Sequence, residues 1–201
     1  MQIHNVEQGT PDWFELRKGI PTASNFSKIL TPTGRLSTSK DTYLYELLSE
    51  SVLGYKEETT KTEWMERGNE LEEEAAVLYE LATDIDTEIV GFITNNGVGC
   101  SPDRLVGKEG LLEIKCPKPS THTKYIVSQK MDNKYIPQVQ GQLMVTGRKW
   151  CDWMSYHPEL PPVIVRVERD EKYIEKLSTE LEKFLKEFKE NHEIIKNQVA
   201  A

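Results

Sequence analysis

The chain has 201 residues, 37% of them hydrophobic and 29% charged, with a formal net charge of -8; that is long enough to bury a sizeable core in one domain, and no run approaches the ~20 apolar residues of a membrane span. The opening Met1-Gln2-Ile3-His4-Asn5 has neither the cationic nor the apolar region of a signal peptide, so the sequence predicts a cytoplasmic protein. Cys100, Cys116 and Cys151 are odd in number and scattered, which argues against a disulfide framework and against a Cys-rich zinc or iron–sulfur site.

Thr22 and Ser24 can cap a short helix in which Phe26, Ile29 and Leu30 recur at helical spacing. Residues 38–53 read as a helix through Tyr43, Leu44, Leu47 and Leu48, and 64–82 as another through Met65, Leu71, Ala75, Leu78 and Tyr79. Near residue 87 the pattern turns β-prone, with runs at Glu88–Thr94, Gly97–Pro102, Arg104–Val106 and Leu111–Cys116, and a hairpin turn at Gly107-Lys108-Glu109-Gly110. Helical spacing returns at Thr121–Gln129 and Tyr135–Val145, and Cys151–Tyr156 and Val163–Glu168 read as strands. A last helix starts near Glu171, its apolar stripe of Ile174, Leu177, Leu181, Phe184, Leu185 and Phe188 opposite alternating Glu and Lys. With no repeat and no long linker, the elements predict a single mixed α/β domain over 1–201: a helical part at 12–83, a sheet-bearing core at 87–168 and a C-terminal helix at 171–198.

Charge is polarised along the chain. Residues 57–90 hold twelve acids against Lys61 and Arg67, a net of -10, whereas 115–149 hold seven bases against Asp132 alone, a net of +6. A uniformly acidic protein would make a poor binder of a polyanion, but a basic segment inside an acidic chain leaves that class open.

The strand cluster contains Ser101-Pro102-Asp103 and, ten residues after Asp103, Glu113-Ile114-Lys115. Side chains alternate along a strand, so Glu113 and Lys115 share a face while Ile114 points to the other. If the turn at 107–110 folds the chain back, Asp103 comes alongside them. Two carboxylates that close repel one another, and a divalent cation compensates; Mg²⁺ takes such oxygen ligands together with water and substrate phosphate. A lysine beside the metal can orient or deprotonate an attacking water and stabilise charge developing on phosphorus. Upstream, Gly68-Asn69-Glu70-Leu71-Glu72 puts a carboxylate on the helix before the sheet; downstream, Tyr135, Gln138 and Gln142 share one face of a helix.

These residues resemble the PD-(D/E)xK nuclease superfamily and, within it, the lambda exonuclease or YqaJ-type viral recombinase group. The resemblance lies in Trp13 through Arg17 and Gly19 followed by Thr22-Ala23-Ser24, the G-x-x-x-E of Gly68–Glu72, Cys100-Ser101-Pro102-Asp103, and Leu112-Glu113-Ile114-Lys115-Cys116-Pro117. It continues in Gln138-Val139-Gln140, Val145-Thr146 and Glu168-Arg169-Asp170-Glu171-Lys172-Tyr173. It implies a restriction-endonuclease-like core, a mixed central sheet flanked by helices. It also implies that Asp103, Glu113 and the Ile114 carbonyl bind Mg²⁺, that Lys115 handles the nucleophilic water, that Glu72 belongs to a second metal's shell, and that Gln138 orders water or the scissile phosphate. Two Mg²⁺ ions are implied, with Mn²⁺ able to substitute. Arg17, Thr22 and Ser24 match the family's pocket for a 5′-phosphate, which suits the chemistry of a guanidinium beside two hydroxyls. Met65 stands where the family inserts an apolar side chain to split the terminal base pair. The family's arginine shortly after E-x-K is missing here, leaving Lys118, His122 or Lys124 as substitutes without a bidentate fork.

The function so implied is a Mg²⁺-dependent, alkaline-type 5′→3′ exonuclease on double-stranded DNA. It would release mononucleotides and leave 3′ single-stranded tails for recombination by a single-strand annealing protein. A homotrimeric ring around the DNA is implied as well, and a phage- or prophage-encoded origin in a bacterial host. The alternatives are a structure- or sequence-specific endonuclease of the same fold, and a DNA-end-binding recombination module without turnover.

Overall fold

The computed structural model describes residues 1–55 and 63–199, with side chains described at all of these except 63–70. In chain order the elements are β1 (Gln2–His4), α1 (Pro11–Arg17), a 3₁₀ turn (Ala23–Lys28), α2 (Lys40–Leu53), α3 (Glu63–Thr83), β2 (Thr87–Glu88), β3 (Phe92–Asn95), β4 (Val98–Cys100), β5 (Arg104–Val106) and β6 (Gly110–Lys115). There follow α4 (Pro119–Ser128), a second 3₁₀ turn (Asn133–Tyr135), α5 (Ile136–Thr146), β7 (Trp150–His157), β8 (Leu160–Glu168) and α6 (Glu171–Val199).

The central sheet runs β2-β5-β6-β7-β8. β5 and β6 form the expected antiparallel hairpin, Arg104 opposite Leu112 and Val106 opposite Gly110. β6 and β7 are parallel, as strands joined through α4 and α5 rather than through a tight turn can be. β6 is buried nearly throughout because both its faces are covered, which is why it reads as an apolar run interrupted only by Glu113. Leu112 and Ile114 join Ala75, Ala76 and Tyr79 of α3 in one apolar cluster, while Leu111 belongs to the larger cluster that α2, α5 and α6 build on the other side. The buried stripe of α6, Tyr173, Ile174, Leu177, Leu181 and Phe184, closes that larger core, with Phe184 stacked on Tyr43 of α2 at 5.6 Å.

Two elements were not anticipated, and one prediction is corrected. α1 starts as Thr10-Pro11-Asp12, where Thr10 accepts from the Trp13 amide at 3.4 Å and proline stands at the first helical position; this cap is a legible start signal. β1 is only three residues long and finds its partner ninety residues away in β3, which no local pattern announces. The predicted strand Glu88–Thr94 is two strands in two sheets: β2 pairs with β5, whereas β3 lies in a separate sheet ordered β1-β3-β4. Gly91 sits at the crossing, where a Cβ would stand 2.1 Å from the Val6 carbonyl oxygen, so the chain passes close enough to change partners only with no side chain there.

Candidate active site

The β5–β6 hairpin brings Asp103 beside Glu113, as the sequence predicts. Asp103 Oδ2 accepts a hydrogen bond from the Ile114 amide at 2.5 Å, which fastens the end of one strand to the other. Glu113 is only 1% exposed, and the alternation of β6 turns it and Lys115 toward α5. Its Oε1 accepts from Lys115 Nζ and from Gln138 Nε2, and its Oε2 from Gln142 Nε2 at 2.6 Å. The Lys115 ammonium lies 5.6 Å from the centre of the ring of Tyr135, the residue that precedes α5. Burial, then the charge of Glu113, pushes the Asp103 carboxyl well above the usual carboxylate range. Burial alone would lower the Lys115 ammonium, but Glu113 and Asp103 outweigh it and hold it raised.

Glu72 reaches this end of the sheet from α3. Arg104, the residue after Asp103, is buried and donates to Glu72 Oε1 at 3.1 Å, to Glu73 Oε2 at 2.5 Å and to the Asp103 carbonyl at 2.7 Å. Burial raises the Glu72 carboxyl, and Arg104 acts against that rise. Sequence reasoning missed Arg104, which it read only as the start of a strand; a lone arginine in a β run carries no signal of its partners.

Arg17, Thr22 and Ser24 also come together. Arg17 donates to Thr22 Oγ1 at 3.4 Å and to Ser101 Oγ at 3.3 Å, and its guanidinium lies 3.9 Å over the Trp13 ring. Thr22 and Ser24 hydroxyls are 3.2 Å apart. Thr22 precedes the 3₁₀ turn without its side chain capping it, so the hydroxyl is not committed to the backbone. Burial lowers the Arg17 guanidinium to about 10, against the opposing influence of Tyr43, Cys100 and Glu50. Trp13 and Ser101 are thus part of the pocket although they entered the sequence reading only as matched patches: the indole Nε1 donates to Ser101 Oγ at 2.9 Å.

The two clusters are joined by very little chain. Ser101 accepts from Arg17 and Trp13, and two residues on, Asp103 meets Glu113. From the other side, Gly141 of α5 lets the 3₁₀ turn seat against the helix that carries Gln138 and Gln142; a Cβ there would stand 2.4 Å from the Phe26 ring. Met65 lies outside the residues whose side chains are described. Of the three proposed substitutes for the missing arginine, His122 is corrected: it is fully buried, with its ring nitrogens on Ser155 Oγ at 2.7 Å and the Pro161 carbonyl at 3.1 Å. Lys118 and Lys124 are exposed on α4 and its approach.

Asp103, Glu113 and the Ile114 carbonyl are hard oxygen donors of the kind Mg²⁺ accepts, and burial together with the charge of Glu113 raises the Asp103 carboxyl. Among the described residues no group of three acidic, His or Cys side chains converges to hold an ion unaided, so an ion here completes its shell with a main-chain carbonyl, water and substrate. The donor set fits one such ion. Glu72 is already engaged by Arg104, and a second ion there has to displace that guanidinium.

Comparison with known proteins accords with this geometry. No curated protein matches the sequence. The crystal structure of an alkaline exonuclease (LHK-Exo) from Laribacter hongkongensis is 38% identical, aligns over 95% of this chain and 98% of its own, and has a TM-score of 0.86. A structure of LHK-Exo in complex with dAMP matches equally well, at 37% identity, the same coverage and the same TM-score. A phage related exonuclease from Haemophilus somnus 129PT shares the fold at 16% identity, 89% and 96% coverage and a TM-score of 0.71. The architecture is therefore the restriction-endonuclease-like one that the resemblance implied. A family model described as the YqaJ-like viral recombinase domain matches residues 12–149, a span that takes in both charged clusters and the helix joining them, and the chain belongs to that family.

Proposed function

We propose that the chain is a Mg²⁺-dependent exonuclease that degrades double-stranded DNA from its 5′ ends, releases mononucleotides and leaves 3′ single-stranded tails for a single-strand annealing protein. The observation that carries this reading is the pairing of an Asp103-Glu113-Lys115 centre with a half-buried pocket of Arg17, Thr22 and Ser24 whose Ser101 lies two residues from Asp103 along the chain. A centre alone suits any nuclease; a centre at fixed reach from a terminal-phosphate pocket suits one that works from ends. The dAMP held by the 37% identical relative supports a mononucleotide product.

Mg²⁺ bound by Asp103, Glu113 and the Ile114 carbonyl, or Mn²⁺ in its place, would supply Lewis-acid polarisation of the scissile phosphoryl group. The protein's own groups do the rest. Lys115, held protonated by its two carboxylate neighbours, donates to the attacking water and stabilises the negative charge that develops on phosphorus. Gln138, its amide donating to Glu113, would order that water or the scissile phosphate. Arg17, Thr22 and Ser24 take the 5′-phosphate, which carries more charge than an internal diester and so prefers this pocket over the backbone. Glu72 would hold a second ion, in exchange for its bond from Arg104. A homotrimeric ring, threaded by the DNA in the cytoplasm of a phage's host, completes the proposal.

The test is digestion of linear duplex bearing 5′-phosphate or 5′-hydroxyl ends and of covalently closed circles, each with Mg²⁺ or with chelator. Mg²⁺-dependent loss of 5′-phosphorylated linear duplex with mononucleotide release is expected, and intact circles. Cutting of closed circles would favour an endonuclease instead, and absence of any turnover an end-binding module.

A further inference from the structure

The carboxylate of Glu113 is held at both oxygens. Lys115 and Gln138 serve Oε1, and Gln142, one helical turn beyond Gln138, serves Oε2 from its Nε2 at 2.6 Å. Gln142 is 1% exposed, and its own Oε1 receives no hydrogen bond from any described residue. A desolvated amide carbonyl without a donor is unfavourable, so the cost at Oε1 is accepted for what Nε2 does. Turning the amide over does not help, since that sets a carbonyl oxygen against the carboxylate and strands the NH₂.

Gln140, between the two, has the other arrangement. Its Nε2 donates to the Glu168 carbonyl and its Oε1 accepts from the Asp170 amide, each at 2.9 Å. Both ends are satisfied by backbone, as befits a glutamine that docks a helix. Gln142 leaves one end unmet so that the other can face Glu113.

We propose that Gln142 is a positioning residue for Glu113, fixing the second oxygen and with it the plane of the carboxylate. The inference rests on the reading of Asp103, Glu113 and Lys115 as a nuclease centre. Without Gln142, Glu113 remains anchored at Oε1 and pivots about that atom, so the plane of the carboxylate is no longer fixed. Reactive geometries tolerate little displacement, while a side chain this deeply buried makes no contact with DNA. Turnover therefore depends on Gln142, and duplex affinity does not.

Gln142→Leu keeps the bulk and removes the donor; Gln142→Met does the same without branching, should leucine disturb the packing. In either variant Glu113 Oε2 loses its donor, so the thermal midpoint should fall modestly while the protein stays folded at the assay temperature. The KM for duplex should be unchanged, kcat lower by about ten- to a hundredfold, and Mg²⁺ binding to the DNA-free protein weaker by titration calorimetry. Wild-type kcat in a folded variant would overturn the inference, and so would a loss of kcat that only tracks a lowered midpoint. Glu113→Gln measured alongside separates the two levels. If Glu113→Gln is active, the reading of the centre is wrong; if it is inactive while Gln142→Leu is fully active, only the role of Gln142 falls.

Discussion

The Glu113 centre is buried charge and the Arg17 pocket half-buried charge, and they are unbalanced in opposite directions. Around Glu113 the carboxylates of Asp103 and Glu72 crowd together, and Lys115 and Arg104 offset them only in part, as the raised Asp103 carboxyl records. Around Arg17 there are a ring and hydroxyls, and burial lowers the guanidinium although Glu50 acts to raise it. The buried carboxylate of Asp152, by contrast, is closed by its own fold: it takes two bonds from the half-exposed Arg166 at 2.9 Å and one from the Tyr79 hydroxyl at 2.7 Å. The contrast teaches what to look for. Charge that is complete within the fold holds elements together, whereas charge left over, of either sign, marks where something from outside belongs.

The comparison breaks most sharply at the centre. Asp103→Ala or Glu113→Ala should abolish cleavage, and Lys115→Ala should lower kcat by about 10²- to 10⁴-fold. Lys115→Ala should still bind duplex in Ca²⁺, measured by filter retention, because only the group facing the water is lost. At the pocket the effect is smaller and depends on the substrate. Arg17→Ala removes a charge-assisted contact, on the order of 1.5–3 kcal/mol, and should slow digestion of 5′-phosphorylated duplex roughly ten- to a hundredfold. Digestion of 5′-hydroxyl duplex should change little; equal slowing of both would make Arg17 a structural residue.

Gly141→Ala tests whether the two regions are mechanically joined. A methyl group 2.4 Å from the Phe26 ring forces the 3₁₀ turn away from α5 at a typical overpacking cost of about 1–3 kcal/mol. A lowered thermal midpoint together with a weakened preference for 5′-phosphate is expected, and a lowered midpoint with the preference intact would uncouple them.

The mildest test reads the imbalance at Asp103 through stability. Its folded carboxyl is raised above the unfolded value, so the ionised form costs stability as pH rises through that window, and the cost is relieved on acidification below it. Asparagine stays neutral and can still accept from the Ile114 amide. In chelator, Asp103→Asn should therefore melt above the wild type at neutral pH, and the gap should close in acid. A gap independent of pH would assign it to packing, and added Mg²⁺ should narrow it by stabilising the wild type.

Much of the fold and of the centre is legible in the sequence because the signals are local. The β5–β6 hairpin lies between two β runs with a glycine-bounded turn, so the turn alone aligns Asp103 with Glu113; the stripe of α6 and the faces of α5 follow from residue spacing. What escapes are partnerships across long sequence distances. Arg104 meets Glu72 across thirty-two residues, and Gln142 stands on the predicted helical face, but its partner Glu113 lies twenty-nine residues back. The strand expected over Glu88–Thr94 fails for the same reason: its apolar content is plain, but its division between two sheets is decided by Val6 and His4, whose carbonyls crowd Gly91.

The three residues Ser101-Pro102-Asp103 have one more consequence. Ser101 is tied to the pocket and Asp103 to the centre, and two residue steps of chain span at most about 7 Å, with a proline in the middle to stiffen them. Such a link is a gauge block. It sets the stride of the enzyme in the proposed reaction, since a 5′ end seated at one end of it presents the same bond at the other each time. Digest lengths then become a caliper reading of the protein: one residue inserted between Ser101 and Asp103 should turn a ladder of single nucleotides into a mixture, while the chemistry of each cut stays the same.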